Sequence, residues 1–392
     1  MFLFRVINFI LIGCFLPALV AVPARAASEA VVYSFRGGTD GFGPLAGLIN
    51  VGGTLYGTTW GGRYNKGTVF KMTPAGVKTV LHSFRGSPSD GYLPDAGLIN
   101  VGGTLYGTTV GGGAYGGGTV FKVTPTGVYK VLHSFGRGKD GAGPVAGLIN
   151  VGGTLYGTTS DGGAYGFGTV FKMTPAGVVT VLYSFKGGTD GLDPDAGLVN
   201  VGGAFYGTTA YGGAYTGPSQ GYGGTVFKVT PTGVETILHS FGGDPSDGIQ
   251  PEAGLINVGG TLYGTTYGGG AYNPSKGTVF KVTLGGVYKV LHSFGGAPSD
   301  GAHPFFARLI NIAGTLYGTT SDGGAYDKGT VFKMTPAGVV TVLHSFRGYP
   351  SDGYLPSAGL LNVGGTLYGT TSKGGAYCNV TFCFGTVFKV TP

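Results

Sequence analysis

Charged residues are scarce in this chain: Lys, Arg, Asp and Glu make up 10% of its 392 residues, whereas 42% are hydrophobic. Intrinsically disordered chains combine high charge with low hydrophobicity, so disorder is excluded. Ala, Glu, Lys and Leu do not dominate the composition, which argues against coiled coils and helical solenoids. Beyond the N-terminus, no stretch reaches the roughly 18 apolar residues of a membrane helix.

Cysteine is scarce too, with three residues, of which Cys378 and Cys383 lie in one short insertion. An exported chain occupies an oxidising compartment, which favours a disulfide between these two. A metal site there would need further ligands nearby, and the sequence shows none. We therefore predict a disulfide, no metal and no cofactor.

The N-terminus has the pattern of an export signal. Arg5 precedes an apolar stretch over residues 6–22, and Ala24-Arg25-Ala26 places small residues where signal peptidase requires them. We predict cleavage after Ala26 and a soluble, monomeric mature chain, residues 27–392, that is secreted or periplasmic. The alternative is a lipoprotein anchored through Cys14, because Leu11-Ile12-Gly13-Cys14 resembles a lipobox.

Glycine, by contrast, is abundant, with 84 residues, and aromatic residues reach 13%. The glycines do not fall at every third position, which excludes collagen. A chain rich in Gly, Val, Thr, Tyr and Phe is typical of a β-protein.

A unit of about 50 residues repeats seven times after residue 30, a period typical of propeller blades. Ala-Gly-Leu-Ile-Asn-Val-Gly-Gly-Thr-Leu-Tyr-Gly-Thr-Thr occurs unchanged at 46–59, 96–109 and 146–159, and Gly-Thr-Val-Phe-Lys follows it after a glycine-rich loop. In the second unit, turn residues separate four strand-like runs, which we name strands A, B, C and D: 96–101, 104–110, 118–124 and 128–135. The sequence predicts an all-β fold, a seven-bladed β-propeller with four antiparallel strands per blade.

The two ends of the chain predict how the ring closes. Residues 31–35 match strand D of the other units but have no strands A to C before them. The last unit supplies strands A to C, over residues 358–390, and no strand D. We therefore predict that the N-terminal strand completes the C-terminal blade.

The repeats resemble two known families. Gly-Gly doublets and a unit of this length resemble Kelch repeats, although the expected Trp is absent. Gly-Leu-x-Asn, Leu-Tyr-Gly-Thr-Thr and Gly-Thr-Val-Phe resemble the bacterial GloVer tandem-repeat family of secreted proteins, and this resemblance covers residues 31–392. It implies an extracellular or surface location, no defined activity and no catalytic residues.

The B–C and D–A loops are expected on one face of the ring, where loop length varies, and loops on a rigid scaffold commonly bind ligands. Two residue types, tyrosine and aspartate, recur there, and both are candidates for binding sugars. Aromatic rings pack on pyranose rings, and carboxylates accept hydrogen bonds from sugar hydroxyl groups. Alternatively, each Asp-Gly forms a turn and each Tyr packs between blades. The tyrosines are Tyr64, Tyr115, Tyr165, Tyr215, Tyr272, Tyr326 and Tyr377, and the aspartates are Asp40, Asp90, Asp140, Asp190, Asp247, Asp300 and Asp352.

Catalysis usually needs residues that occur in one place only. His303 and Arg308 have no counterparts in the other units, and His303 beside Asp300 is a weak candidate for a general base with an orienting carboxylate. The remaining five histidines, all in strand D, are interpreted as packing residues because Tyr33 and Tyr183 replace them in two units. They are His82, His133, His239, His292 and His344.

The net charge is +7, but the charged residues are spread over the repeats and do not cluster, so no nucleic-acid-binding patch is predicted. The leading hypothesis is a secreted binding or scaffold module whose partner is extracellular polysaccharide or a surface protein. The alternatives are a polysaccharide-active hydrolase or lyase and a structural envelope protein. Enzymatic activity is not favoured, because the chain has no established catalytic motif.

Overall fold

The structure is a computed structural model that describes residues 27–215, 223–242, 246–272, 275–379 and 382–392. The predicted export signal, residues 1–26 with Cys14, lies outside the described residues. Within the described ranges, no helix is long and apolar enough to cross a membrane. The helical elements in these ranges are two 3-10 turns, Gly38–Asp40 and Gly188–Asp190.

Seven four-stranded antiparallel sheets form seven blades around a central channel, which confirms the predicted β-propeller. Within each blade, strand A pairs with B, B with C and C with D. Segments next to and within strand A line the channel, so strand D lies at the outer edge.

The strands recur at equivalent positions in all blades. Blades 1 to 4 contain, in the order A to D, Ile49–Val51, Thr54–Thr59, Thr68–Met72 and Lys78–Ser83; Ile99–Val101, Thr104–Thr109, Thr119–Val123 and Tyr129–Ser134; Ile149–Val151, Thr154–Thr159, Thr169–Met173 and Val179–Ser184; and Val199–Val201, Ala204–Thr209, Thr225–Val229 and Glu235–Ser240. Blades 5 to 7 contain Ile256–Val258, Thr261–Thr266, Thr278–Thr283 and Tyr288–Ser293; Ile310–Ile312, Thr315–Thr320, Thr330–Met334 and Val340–Ser345; and Leu361–Val363, Thr366–Thr371, Thr386–Thr391 and Ser28–Ser34.

Strand A is shorter than the six residues predicted for it. In blade 2 it covers Ile99–Val101, and the preceding Ala96-Gly97-Leu98 lies along the channel instead. Gly97 faces the carbonyl oxygen of Gly47 in the neighbouring blade, so glycine there allows the inner segments of adjacent blades to approach closely.

The hydrophobic core consists of seven clusters, each between two adjacent blades. Successive residues of a strand point to opposite faces of the sheet. In blade 1, Leu55 and Phe70 therefore pack towards blade 7, while Tyr56 and Val69 pack towards blade 2. Each blade has a neighbouring blade on both sides, so both of its faces carry apolar side chains that pack against a neighbour.

The N-terminal strand closes the ring as predicted. Ser28–Ser34 pairs antiparallel with Thr386–Thr391, with Ser28 opposite Thr391 and Ser34 opposite Thr386. Phe35, directly after this strand, is fully buried in the cluster between blades 7 and 1. The hydroxyl of Thr370 donates to the carbonyl of Ala46 at 3.0 Å across the same junction, as Thr108 does to Ala146 between blades 2 and 3.

This closure predicts that Phe35→Ala will destabilise the protein as much as Phe135→Ala, the equivalent change inside the continuous chain. Both rings are fully buried, and removing a buried Phe side chain costs about 3–5 kcal/mol. Thermal unfolding of the two variants is the measurement. A small loss for Phe35→Ala alone would show that the N-terminal strand does not hold the ring.

Candidate functional site

The B–C and D–A loops lie on the same face of the propeller, which we call the loop face. Gly91–Tyr92 of a D–A loop pairs antiparallel with Gly111–Gly112 of the next B–C loop. The same pairing recurs as Gly248–Ile249 with Gly268–Gly269, Gly301–Ala302 with Asp322–Gly323, and Gly353–Tyr354 with Lys373–Gly374. The loops are therefore joined to one another by backbone hydrogen bonds.

In the B–C loop of blade 7, a disulfide joins Cys378 and Cys383. The two cysteines also form an antiparallel bridge, and the Asn379 amide donates to the Phe382 carbonyl at 2.8 Å. Residues 378–379 and 382–383 thus lie antiparallel to each other.

Each of the seven loop aspartates is held by a residue of the preceding strand D. Asp90, for example, lies 3.0 Å from Nε2 of His82 and accepts backbone hydrogen bonds from Arg85 and Gly91. The corresponding pairs are Tyr33–Asp40, His82–Asp90, His133–Asp140, Tyr183–Asp190, His239–Asp247, His292–Asp300 and His344–Asp352. The carboxylates close the D–A turns, which supports the turn interpretation; sugar binding by them remains a prediction.

Hydrogen bonding keeps several of these aspartates ionised. Burial alone would raise the pKa of Asp90, but the hydrogen bonds from His82 and the Arg85 amide outweigh it and leave that pKa below its ordinary value. The same balance, with His239 and His292 as partners, lowers the pKa of Asp247 and Asp300. The spacing of seven or eight residues between the His or Tyr and its Asp is the sequence signal for these pairs.

The seven loop tyrosines are half-exposed, with 40% to 63% of each side chain open to solvent. They are not part of the described clusters between blades, so the packing alternative does not account for them. In four blades an arginine lies over the ring: Arg85 over Tyr64, Arg137 over Tyr115, Arg347 over Tyr326 and Arg36 over Tyr377, at 5.2 to 5.8 Å from the centroid. In blades 4 and 5, Gly242 and Gly295 adjoin Tyr215 and Tyr272.

The channel is a second feature, a cavity of about 520 Å³ lined mainly by Ala-Gly-Leu-Ile segments. Arg308 projects into it where six other blades have glycine, and its Nε donates to the Leu255 carbonyl at 3.2 Å. Three carboxyl groups also line this cavity. Burial raises the pKa of Asp95 to about 6 and that of Glu252 to about 7. Burial, reinforced by neighbouring carboxylates including Asp193, raises the pKa of Asp195 to about 8.

His303 has a carboxylate partner, but it is not Asp300. Nδ1 of His303 lies 3.1 Å from Oδ2 of Asp322, and its ring stacks on Tyr267 with centroids 4.8 Å apart. Asp300 is instead occupied by His292 and by two backbone amides. The structure therefore brings His303 to the B–C loop of its own blade, and it places Arg308 in the channel with a different partner.

A family model described as the Gloeobacter/Verrucomicrobia repeat matches residues 21–218 and 210–388, and the chain belongs to this family. The resemblance inferred from the repeat motifs is thereby confirmed. A comparison with curated proteins finds no match.

Among solved structures, puromycin hydrolase is similar at 12% identity with a TM-score of 0.50, over 84% of this chain and 50% of that chain. A point mutant of puromycin hydrolase complexed with PGG is similar at 13% identity with a TM-score of 0.49, over the same shares. The chain thus spans about half the length of these proteins. At this identity the likeness shows the fold alone.

The channel carboxyls predict a pH dependence of stability. The folded-state pKa values of Asp95, Asp195 and Glu252 exceed those of the unfolded chain, so their protonation favours folding below about pH 4, and this contribution is lost progressively as the pH rises from about 4 through the folded pKa values of about 6 to 8. Asp90 and Asp300 behave oppositely, because their lowered pKa values favour folding above about pH 4.

We therefore expect the melting temperature to be at least about 2 °C higher near pH 5 than near pH 8.5. In the variant Asp95→Asn, Asp195→Asn, Glu252→Gln this difference should shrink, because these three groups no longer titrate, while Glu29 and Glu235, whose pKa values are also raised to about 7, still do. A melting temperature that is equal at the two pH values in the unmodified protein would contradict the assignment.

Proposed function

We propose that this protein is an exported binding module that engages extracellular carbohydrate through the seven tyrosines of the loop face. The observation that carries the proposal is the exposure of these rings. About half of each tyrosine is open to solvent, although the two faces of every blade are covered by the neighbouring blades. A buried structural role would leave little of each ring exposed to solvent. Stacking on a sugar ring uses the surface that remains open.

The surroundings of the rings support carbohydrate as the ligand. Backbone groups of the glycine-rich B–C loops flank each tyrosine and offer donors and acceptors for hydroxyl groups. Tyr64, Tyr115, Tyr326 and Tyr377 additionally have an arginine over the ring, which suits the carboxylate or sulfate of an acidic sugar. Seven similar positions on one rigid face also suit a polymer with repeating units, because simultaneous contacts raise the overall affinity.

A specific observation favours a second candidate, a polysaccharide-active hydrolase or lyase. The His303–Asp322 pair occurs in one blade of the described structure: in blade 3, Asp161 has the position of Asp322, but Gly143 replaces His303. A histidine oriented by a carboxylate is a common general base. This pair is a single contact, whereas the exposed tyrosine rings recur in all seven blades, so binding is the better-supported function.

The binding proposal predicts different losses for two sets of tyrosines. On residues 27–392, we expect Tyr→Ala at 64, 115, 326 and 377 to weaken binding to an acidic polysaccharide by about a hundredfold, because several simultaneous contacts are lost. Tyr→Ala at 165, 215 and 272 should have a smaller effect on that ligand, since no arginine of the described ranges lies over these rings. A glycan array followed by titration with polygalacturonate measures both.

Tyr349→Ala is the matched control, because Tyr349 is 56% exposed but lies outside the repeated set. Equal binding by the unmodified protein and the variant with four substitutions would remove the tyrosine ring as the site. Absence of glycan binding by the unmodified protein would favour a structural envelope role.

The catalytic alternative predicts turnover in the same mixtures, detected as new reducing ends or unsaturated sugars. If the His303–Asp322 pair is the catalytic group, His303→Gln should reduce the rate at least about tenfold. Arg308→Gly introduces the residue that the other six blades have at this position. It therefore tests whether the arginine in the channel takes part in turnover. Turnover that survives both substitutions would exclude this blade as the site.

A further inference from the structure

One residue at the start of each strand D, the first in blades 1 to 6 and the second in blade 7, occupies an equivalent position beside the His–Asp or Tyr–Asp pair of the preceding blade. Lys78 donates to Asp40 at 2.9 Å, and the rings of Tyr129 and Tyr288 stack on His82 and His239. In strand register, the seven residues at this position are Lys78, Tyr129, Val179, Glu235, Tyr288, Val340 and Glu29.

Blade 7 is the one in which a carboxylate occupies this position opposite a His–Asp pair. Oε2 of Glu29 lies 4.0 Å from Nε2 of His344, which is 3.0 Å from Oδ2 of Asp352. One ligand atom from each of the three residues lies within 4.8 Å of the others, and no second group of this kind occurs in the described part of the chain. Oε1 of Glu29 is buried and has no hydrogen-bond partner.

We propose that Glu29, His344 and Asp352 bind one divalent transition-metal ion, with Zn²⁺ as the best match. Imidazole nitrogen and carboxylate oxygen are zinc ligands at about 2.0–2.2 Å, which places neighbouring ligands of a tetrahedral ion about 3.3 Å apart. The 3.0 Å and 4.0 Å separations lie on either side of this value. Three protein ligands leave the fourth position to water.

The charges around the cluster are compatible with a cation. Burial and the charge of Asp352 raise the pKa of Glu29 to about 7, although His344 and Arg347 act against this. The guanidinium of Arg347 packs over the ring of Tyr326, at 5.2 Å, rather than forming an ion pair with Glu29. The amides of Arg347 and Gly353 donate to Asp352 and fix the orientation of its carboxylate.

A bound metal ion would stabilise the closure of the ring. Glu29 belongs to the N-terminal strand Ser28–Ser34, whereas His344 and Asp352 belong to strand D of blade 6 and the loop that follows it. One ion would therefore tie the closing strand to the preceding blade, in addition to its backbone pairing within blade 7. Metal that binds the folded state alone raises stability by mass action.

The repeat provides matched controls for this site. In blade 4, Glu235 has the position of Glu29 and its pKa is also raised to about 7, first by burial and then by Asp190, but Tyr183 replaces the histidine. In blade 6, Val340 has this position beside His292 and Asp300. Each of these positions lacks one of the three ligands.

The test is a zinc titration of chelator-treated, untagged residues 27–392, by calorimetry and by thermal unfolding, with Co²⁺ absorption as a readout of coordination. We expect one Zn²⁺ per chain, a higher melting temperature with Zn²⁺ and a visible Co²⁺ band. E29Q should weaken Zn²⁺ binding at least tenfold and abolish the band, while E235Q should leave both unchanged.

Similar melting temperatures of metal-free E29Q and metal-free unmodified protein establish that the fold is retained. Any of three results would overturn the proposal: no Zn²⁺ binding by the unmodified protein, equal binding by E29Q, or an equal loss in E235Q. None of these results bears on carbohydrate binding by the loop face, which is assayed separately.

Discussion

Both faces of every four-stranded sheet in this protein are apolar, and the rest of the structure follows from the need to cover them. In a strand such as Thr54–Thr59, Leu55 faces one neighbour and Tyr56 the other, so a blade on its own would expose one core cluster on each side. An open row of such blades leaves two uncovered faces at its ends, whereas a closed ring leaves none. The fully buried Phe35 and the Thr370–Ala46 hydrogen bond show that the last junction is made like the others.

Close packing within each blade explains one of the repeated glycines. A Cβ on Gly57 would lie 2.7 Å from a methyl carbon of Leu48 and 2.8 Å from the ring of Phe70. Gly107 and Gly157 have equivalent neighbours, so the glycine of Leu-Tyr-Gly makes room for the strand-C phenylalanine. Since interiors are packed at crystal-like density, a methyl group at these positions requires the neighbouring side chains to shift.

The repeated parts of the structure were predictable from sequence, whereas the features that occur once were not. Seven copies of one motif establish strand order, blade number and the placement of Tyr64 and its equivalents on one face, but they leave open whether these rings pack between blades or stay exposed. The partner of His303 was not predictable, because Asp322 is brought to it by pairing between two loops. Glu29 and His344 are far apart in the chain and meet through ring closure, so no local spacing signals their contact.

The division between repeated and unique features bears on function. Binding to a polymer benefits from identical contacts at regular positions, and the Tyr and Asp positions recur in every blade. Catalysis requires one asymmetric group of residues, and two residues next to blade 6, His303 and Arg308, have no counterpart in the other units. At the junction between blades 5 and 6, Thr265, unlike Thr108 and Thr370, has no hydrogen-bond partner for its hydroxyl. The junction between blades 5 and 6 therefore lacks a hydrogen bond that Thr108 and Thr370 form at theirs.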